Sequence, residues 1–231
     1  MVTATRTLTP DILEADLRME DPPALAFTAG QWISVPFGPK TVRAYSIAST
    51  PRTPSTITLS VDVAPGGIGS VWFRELAPGL PVSFKGPLGG FVFDRADARR
   101  PLFIAEEIGI VPIRAMLLDL DEAAGDPGAV TRGAFPAQAT LVYWARDAGW
   151  LVYDEAFQAL AGRRAGFRYR PVAGTSLADA IASAATGLAP ASSRDLVAYV
   201  AGGAATIATA REVLMARGLD RKSIKWEKFY G

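Results

Sequence analysis

Neither cysteine nor histidine occurs anywhere in the 231 residues of the chain. Without a thiolate or an imidazole, the chain cannot form a disulfide, ligate an iron–sulfur cluster of the usual kind, or assemble a Ser/His or Cys/His nucleophilic pair. The common zinc sites are excluded for the same reason, and we expect no metal site. Difficult chemistry would therefore need a cofactor.

Charge of one sign is lacking as well, since 24 basic and 23 acidic residues leave a net charge of +1. This balance gives no electrostatic bias toward nucleic acid. The first 16 residues lack the basic start and apolar run of a signal peptide, and no segment approaches the ~20 apolar residues of a membrane span. We therefore predict a cytoplasmic protein without a membrane span and without a nucleic-acid partner.

The first half of the sequence has the pattern of an antiparallel β domain. Short apolar runs alternate with turn residues at a spacing of roughly 8 to 12 residues, which is typical of a small barrel or sandwich. A helix is predicted near residues 69–76. The predicted strands lie within residues 12–19, 31–37, 44–49, 56–63, 81–86 and 91–93.

From residue 101 onward, strand patterns alternate with helix patterns. Predicted strands at 101–105, 139–145, 167–172 and 196–202 are interleaved with predicted helices at 110–120, 150–160 and 204–218. Such alternation implies right-handed crossovers and a parallel sheet covered on both faces. We therefore predict two domains: an antiparallel β-barrel in residues 1–97 and a doubly wound α/β domain in residues 98–231.

Three short motifs in the first half contain the residue types of a ligand site. In RAYS, strand alternation places Arg43 and Tyr45 on one face, and a cation beside an aromatic ring suits a flat ligand that carries phosphate. In GGIGS, ahead of a predicted helix, the backbone N–H groups near Ser70 and Val71 could cradle an anion. GPLGGF is the third motif. Each motif alone also fits a solvated barrel face or a glycine-rich turn.

In this order, and followed by a doubly wound domain, the motifs resemble those of the ferredoxin–NADP reductase family of flavoproteins. AGQWISV, RAYS with IAS, GGIGS, GPLGGF and the terminal EKF are each similar to family segments, so the resemblance extends over nearly the whole chain. It implies an FAD-binding antiparallel β-barrel, then a nucleotide-binding domain, with FAD as cofactor and NADH or NADPH as the electron source.

The resemblance also implies roles for individual residues. Arg43 would pair with the FAD pyrophosphate, Tyr45 would stack along the flavin, and Ser46 would hydrogen-bond near the reactive nitrogen of the flavin. Glu227 and an aromatic residue, Phe229 or Tyr230, would lie close to the isoalloxazine, although a plain C-terminal strand is an open alternative. The catalytic set is thus Ser46, Glu227 and Phe229. Further FAD contacts would come from Ala44, Gly67, Gly69, Ser70, Val71 and Tyr230.

The implied nucleotide site departs from the family pattern at three places. The family has a Gly-Gly-Thr-Gly type loop, whereas this chain has Glu106 and Glu107 ahead of Ile108 and Gly109. Trp144 stands in place of a family glycine. Ala201, Gly203 and Ala204 replace the cysteine and the prolines of a Cys-Gly-Pro-Pro segment. The residues that would still form the site are Gly109, Ile110, Pro112, Arg146 and Gly202.

These departures leave the electron source open. Glu106 and Glu107 would repel a pyrophosphate, or they would take the place of the missing anion at a helix N-terminus. The family pattern favours an FAD-dependent oxidoreductase that passes electrons from NAD(P)H to a separate acceptor protein, such as a ferredoxin, a cytochrome or an oxygenase component. The alternative is an FAD-binding electron-transfer or sensor protein with a degenerate pyridine-nucleotide site. A purely structural subunit is the third hypothesis.

Overall fold

A computed structural model of the chain describes residues 1–125, 135–186 and 195–229. The chain divides into two compact units. One contains Met1–Phe93 together with Arg114–Glu122, and the other contains Asp94–Ile113 together with Ala123–Gly231. In the described ranges no helix is long and apolar enough to cross a membrane. Nor do those ranges contain a group of three or more acidic side chains arranged to hold a metal ion.

The first unit consists of two three-stranded antiparallel sheets and one short helix. The sheets have the strand orders β1-β2-β5 and β4-β3-β6, and a single bridge between Ile47 and Leu59 links them. The helix α1, Ile68–Arg74, follows β5. The strands are β1 Val2–Thr7, β2 Ile12–Arg18, β3 Trp32–Pro36, β4 Val42–Ser46, β5 Thr56–Asp62 and β6 Lys85–Leu88.

Side chains from both of these sheets enter one hydrophobic core. Leu17 and Leu59 come from the first sheet and Ile33 and Val35 from the second, and all four are buried. In β2, β3 and β5 every second residue faces this core, which is the period that the sequence shows. Tyr45 belongs to the same core although it is also a predicted ligand residue. The packing of the core therefore fixes the position of its ring.

The second unit is built on a parallel five-stranded sheet with the order β11-β10-β7-β8-β9. Among the described residues, four helices follow strands of this sheet: α2 Ile110–Gly125, whose residues Arg114–Glu122 are counted with the first unit, α3 Asp154–Arg163, α4 Leu177–Thr186 and α5 Ala204–Ala216. The strands are β7 Arg100–Glu106, β8 Ala139–Ala145, β9 Phe167–Ala173, β10 Leu196–Gly202 and β11 Ile224–Lys228. The interior strand β10 is buried along its whole length, as expected for a strand covered on both faces.

The strand order creates a topological switch point between β7 and β10. The chain adds β8 and β9 on one side of β7 and then returns to add β10 and β11 on the other side. In open parallel sheets, ligands bind in the crevice that such a reversal leaves at the carboxyl ends of the two strands. Glu106 is the last residue of β7 and Gly202 is the last residue of β10. Glu106 and Gly202 therefore meet at this crevice.

The predicted fold class is confirmed, and the differences concern single elements. No strand forms at residues 91–93, and the strand predicted at 81–86 is displaced to Lys85–Leu88. Three elements were not predicted as such. They are β1, where only Val2 is buried, α4, which is short and rich in alanine, and β11, which was considered only as an alternative. The stretch 125–139 is rich in small residues, a composition that predicts a loop, and its residues 126–134 lie outside the described ranges.

Candidate flavin and nucleotide sites

Arg43 and Tyr45 of β4 converge on one glycine at the start of α1. A Cβ atom added to Gly69 would lie 2.5 Å from the hydroxyl oxygen of Tyr45 and 3.2 Å from Cγ of Arg43. The two side chains therefore share one face of the strand, as its period requires. Glycine at this position leaves a shallow space that any other residue would fill.

The hydroxyl group of Tyr45 is buried and has no hydrogen-bond partner among the described residues. Its ring packs against Trp72, at 5.5 Å between ring centroids, and against Phe73, at 6.2 Å. Burial raises the pKa of Tyr45 to about 12, so the hydroxyl remains protonated at neutral pH and can donate a hydrogen bond. A buried polar group without a partner is unusual in a protein, and a ligand acceptor would satisfy it.

The surroundings of Gly69 suit an anion. Arg43 is exposed, and one of its guanidinium nitrogens donates to the carbonyl oxygen of Val42 at 2.9 Å. The N-cap residue of α1 is Gly67, which offers no side-chain acceptor to the first turn, and that turn contains no acidic residue. The N–H groups of this turn are therefore not capped by a side chain. Together, the unpartnered hydroxyl, the space over Gly69 and the uncapped turn fit a ligand that carries phosphate.

The other predicted flavin residues lie on the same two elements. Ala44 is exposed on β4, whereas Ser46 at the end of that strand is buried and pairs with Trp32 of β3. On α1, Ser70 is buried and Val71 is 51% exposed. Tyr230 lies outside the described residues.

Gly109 and Gly202 bring the backbones of the second unit close together at the switch point. A Cβ atom at Gly109 would overlap the carbonyl group of Ala201, so only glycine fits there. Ile110 and Pro112 are buried and form the start of α2. Their side chains therefore shape the helix and do not offer a surface to a ligand.

The carboxylate of Glu106 occupies the crevice between the ends of β7 and β10. Its Oε2 accepts a hydrogen bond from the backbone N–H of Gly203 at 2.6 Å. Gly203 is the N-cap of α5 and provides no side-chain cap of its own. A Cβ atom at Gly202 would lie 2.8 Å from the same oxygen, so this glycine makes room for the acid. Glu106 is thus the anion at the N-terminus of α5.

Glu107 holds the arginine that was predicted to bind the nucleotide. Its two carboxylate oxygens accept hydrogen bonds from Nε and Nη2 of Arg146, each at 2.6 Å. The backbone N–H of Arg146 adds a third, longer bond of 3.3 Å. Glu107 is only 7% exposed and has a φ of 45°, a conformation uncommon for a residue other than glycine. Both ends of this ion pair are therefore fixed by the fold.

Two tryptophans complete the surroundings of Arg146, and the sequence pattern identified only one of them. The guanidinium carbon of Arg146 lies 3.9 Å from the ring centroid of Trp150, which was not predicted as a site residue. Its position in a turn four residues after Arg146 was the available signal. The indole nitrogen of Trp144 donates to the carbonyl oxygen of Thr175 at 2.7 Å. The contact with Trp150 further restricts Arg146. The hydrogen bond to Thr175 fixes the indole that replaces the family glycine.

The C-terminal segment runs beside β10 and brings Glu227 to the same edge of the sheet. Strand β11 pairs Glu227 with Ala201, and the N–H of Phe229 donates to the carbonyl oxygen of Gly202 at 2.9 Å. Oε2 of Glu227 is buried without a hydrogen-bond partner among the described residues. Burial raises the pKa of Glu227 to about 7. This carboxyl group can therefore gain or lose a proton near neutral pH.

The raised pKa of Glu227 predicts a specific pH dependence of stability. The native protein holds this proton more tightly than the unfolded chain, so the stabilisation is fully present below the ordinary carboxyl pKa of 4.5 and is lost as the pH rises through about 7. We expect Glu227→Gln to raise the melting temperature at about pH 8.5 and to lose that advantage at about pH 5.

Thermal unfolding followed by circular dichroism at both pH values checks this expectation. Glu212→Gln is the matched control, because Glu212 is exposed on α5 in the same unit. An advantage for Glu227→Gln that is the same at both pH values, or that grows toward acid, would contradict the assignment.

Comparison with known proteins shows that the chain is similar to flavin-dependent reductases. Residues 1–93 match the model of the oxidoreductase FAD-binding domain. Ferredoxin–NADP reductase B of Sorangium cellulosum is 32% identical over 169 residues, which are 72% of this chain and 65% of that protein. Phenol hydroxylase P5 protein of Acinetobacter pittii is 32% identical over 168 residues, which are 72% of this chain and 44% of that protein. The chain thus spans less than two thirds of the length of either relative.

A solved structure extends the similarity of fold to almost the whole chain. The FAD/NAD-binding domain of the nitric oxide dioxygenase from Vibrio cholerae superposes with a TM-score of 0.80 at 18% identity, covering 99% of this chain and 96% of that domain. The order of the two units, the match of the first to an FAD-binding domain and the relatives agree. Residues 1–93 thus match an FAD-binding oxidoreductase domain, and the chain is similar to flavoproteins of the ferredoxin–NADP reductase type.

Proposed function

We propose that the chain is an FAD-dependent oxidoreductase, with FAD bound by residues 1–97 and an α/β domain shaped like an NAD(P)-binding domain in residues 98–231. The observation that supports it best is the space over Gly69, bordered by Arg43 and by the unpartnered hydroxyl of Tyr45. Bound there, the flavin would supply the redox chemistry, accepting electrons in a pair and releasing them singly.

The residues of the first unit would bind and orient the cofactor. Arg43 and the backbone N–H groups of Gly69 and Ser70 would hold the pyrophosphate. Tyr45 would donate a hydrogen bond from its hydroxyl group to the cofactor, since burial keeps that hydroxyl protonated. Ser46 would hydrogen-bond the flavin from the end of β4. Lesser contacts would come from Ala44, Gly67 and Val71.

In the second unit, Glu227 and Phe229 are assigned to the catalytic set together with Ser46. Glu227 carries a carboxyl group that titrates near neutral pH, which suits a residue that takes up or releases a proton as electrons move. Phe229 follows directly after β11 and is held by its backbone to Gly202. These roles rest on the family resemblance and on the burial of Glu227.

Substitution of Gly69 tests the flavin site directly. Because an added Cβ atom would crowd Tyr45 and Arg43, we expect Gly69→Ala to weaken FAD binding by about ten-fold or more, equivalent to at least about 1.4 kcal/mol. Titration of the apoprotein with FAD, followed by flavin fluorescence, measures the affinity.

Gly162→Ala is the matched control, since a Cβ atom at Gly162 meets nothing within 4 Å and this glycine lies on α3, outside the proposed flavin residues. The melting temperature of each apoprotein shows whether a loss of affinity reflects a loss of fold. FAD affinity that is the same in wild type and Gly69→Ala would contradict the proposed site.

The electron acceptor is proposed to be a separate protein: a ferredoxin, a cytochrome or an oxygenase component. These 231 residues contain no cysteine to ligate an iron–sulfur cluster. The two relatives are named as a ferredoxin–NADP reductase and as a phenol hydroxylase component, which supports an acceptor of this class. Location in the cytoplasm remains a prediction from the sequence.

NADH or NADPH is the first candidate for the electron source. The fold of the second unit and the close approach of Gly109 to Ala201 preserve the crevice in which such a nucleotide would bind. Anaerobic mixing of FAD-loaded protein with each nucleotide tests it through the flavin absorbance. Rapid, saturable bleaching at micromolar to millimolar nucleotide is the expected result for this candidate.

Two ion contacts favour the second candidate, a flavoprotein whose pyridine-nucleotide site is degenerate. Glu106 already accepts a hydrogen bond from the N–H of Gly203, and Glu107 already forms an ion pair with Arg146. A pyrophosphate would have to displace both carboxylates, and any carboxylate remaining ~6 Å away would repel it by ~3 kcal/mol at an effective dielectric constant near 20. That repulsion corresponds to an affinity lower by about two orders of magnitude.

Removal of the two acids distinguishes these candidates. If the carboxylates exclude the nucleotide, Glu106→Gly combined with Glu107→Thr should lower the nucleotide concentration for half-maximal flavin reduction by about 100-fold. Reduction by dithionite shows that the flavin itself remains competent in each variant. Glu212→Gln is again the control for loss of a negative charge. Efficient reduction of wild type, unchanged in the double variant, would reject the degenerate site.

A further inference from the structure

A second cavity lies at the opposite edge of the parallel sheet, where β7, β8, β9 and β10 begin. Its volume is about 60 Å³. Three of its lining residues are arginines, namely Arg100, Arg168 and Arg170, and none of the described lining residues is acidic. Ligands of parallel sheets normally bind at the carboxyl edge, so this cavity is separate from the nucleotide crevice.

Strand register shows why the three arginines face one cavity. Thr140 of β8 pairs with Leu102 on one side and with Arg168 on the other. Because alternate residues of a strand share a face, Arg100 lies on the face of Leu102, and Arg170 on that of Arg168. Neighbouring strands are about 4.8 Å apart, so β7 and β9 are about 10 Å apart, a distance that long arginine side chains span.

No described residue that lines the cavity carries a negative charge to balance these arginines. Arg100 donates to the amide oxygen of Gln138 at 3.2 Å. Within the part of the chain that the structure describes, neither Arg168 nor Arg170 forms an ion pair or a side-chain hydrogen bond. Other arginines are satisfied internally; Arg99, for example, pairs with Asp97 at 2.6 Å.

The floor of the cavity is apolar, which strengthens any charge interaction made there. Leu102, Leu196 and Ala184 line it, and all three are buried. Low local polarity makes a hydrogen bond between ions stronger than it is in water. The planar fork of arginine matches the oxygens of a phosphate group and binds them in pairs. The hydroxyl of Thr140 adds a further donor on the same face.

We propose that this cavity is a binding site for a phosphate group, either inorganic phosphate or the terminal phosphate of a small phosphomonoester. Arg168 and Arg170 are its principal ligands, with Arg100 at its far side. The site is independent of the proposed flavin and nucleotide chemistry, because it uses the amino ends of the strands and none of the residues assigned above.

Isothermal titration calorimetry tests the site with inorganic phosphate and, separately, with AMP. The protein is loaded with excess FAD, so that the proposed anion donors near Gly69 are already engaged, and chloride keeps the ionic strength constant. We expect saturable binding of one phosphate group. Arg168→Gln and Arg170→Gln should each weaken it by about ten-fold or more, as for loss of one charge-assisted hydrogen bond. Tighter binding of AMP than of phosphate would identify a phosphomonoester as the ligand.

Arg221→Gln is the matched control, because Arg221 is an exposed arginine elsewhere in the same unit. Neither Arg168 nor Arg170 has a partner among the residues described by the structure, so the variants should keep the melting temperature of wild type in phosphate-free buffer. Absence of saturable heat with both probes, or equal binding by wild type and by the double variant Arg168→Gln, Arg170→Gln, would overturn the proposal.

Discussion

The parallel order of the second sheet places the carboxyl ends of β7 and β10 side by side, and the arrangement of the nucleotide crevice depends on this constraint. It brings Glu106 against the start of α5. It also requires glycine at position 109, where the backbone of Ala201 lies in contact, and at position 202, where the side chain of Glu106 needs the space. It also sets β11 beside β10, so that Glu227 reaches the same edge. The electrostatic character of the crevice is therefore decided by a few side chains at strand ends.

The two edges of this sheet balance their charges in opposite ways. At the carboxyl edge, Arg146 is neutralised by Glu107 and covered by Trp150. At the amino edge, Arg168 and Arg170 face a cavity with no acidic residue among its described lining. A cation whose counter-charge is built into the fold contributes to stability. A cation without one is a candidate for binding an external anion.

Much of the fold could be predicted from the sequence because apolar periodicity reports burial. The period of two in β2 to β5 and the alternation of strands with helices after residue 101 gave the two-domain class. The same period predicted that Arg43 and Tyr45 share a face. The strand β1 was missed because only Val2 is buried among its residues, so it lacks the apolar alternation of the other strands. The helix α4 was missed because it is short and rich in alanine, with only Leu177 and Ile181 as large apolar residues.

The directions of Glu106 and Glu107 could not be predicted in this way. The side chain of Glu107 reaches Arg146 only because its φ is 45°, and no local pattern signals that conformation for glutamate. The contact between Glu106 and Gly203 joins residues 97 positions apart, so it depends on the completed sheet. Stacking of Arg146 on Trp150 requires the turn after β8. Each of these is a tertiary effect.

The pair formed by Glu107 and Arg146 has a consequence for reading related sequences. Arginine at this position would usually be counted as evidence that a homologue uses a pyridine nucleotide. Once a buried glutamate has become its partner, the arginine is required by the fold, since its loss would leave a buried carboxylate unpaired. Evolution can then retain the arginine after the ligand is gone, so its presence is informative only when the residue directly after β7 is read with it.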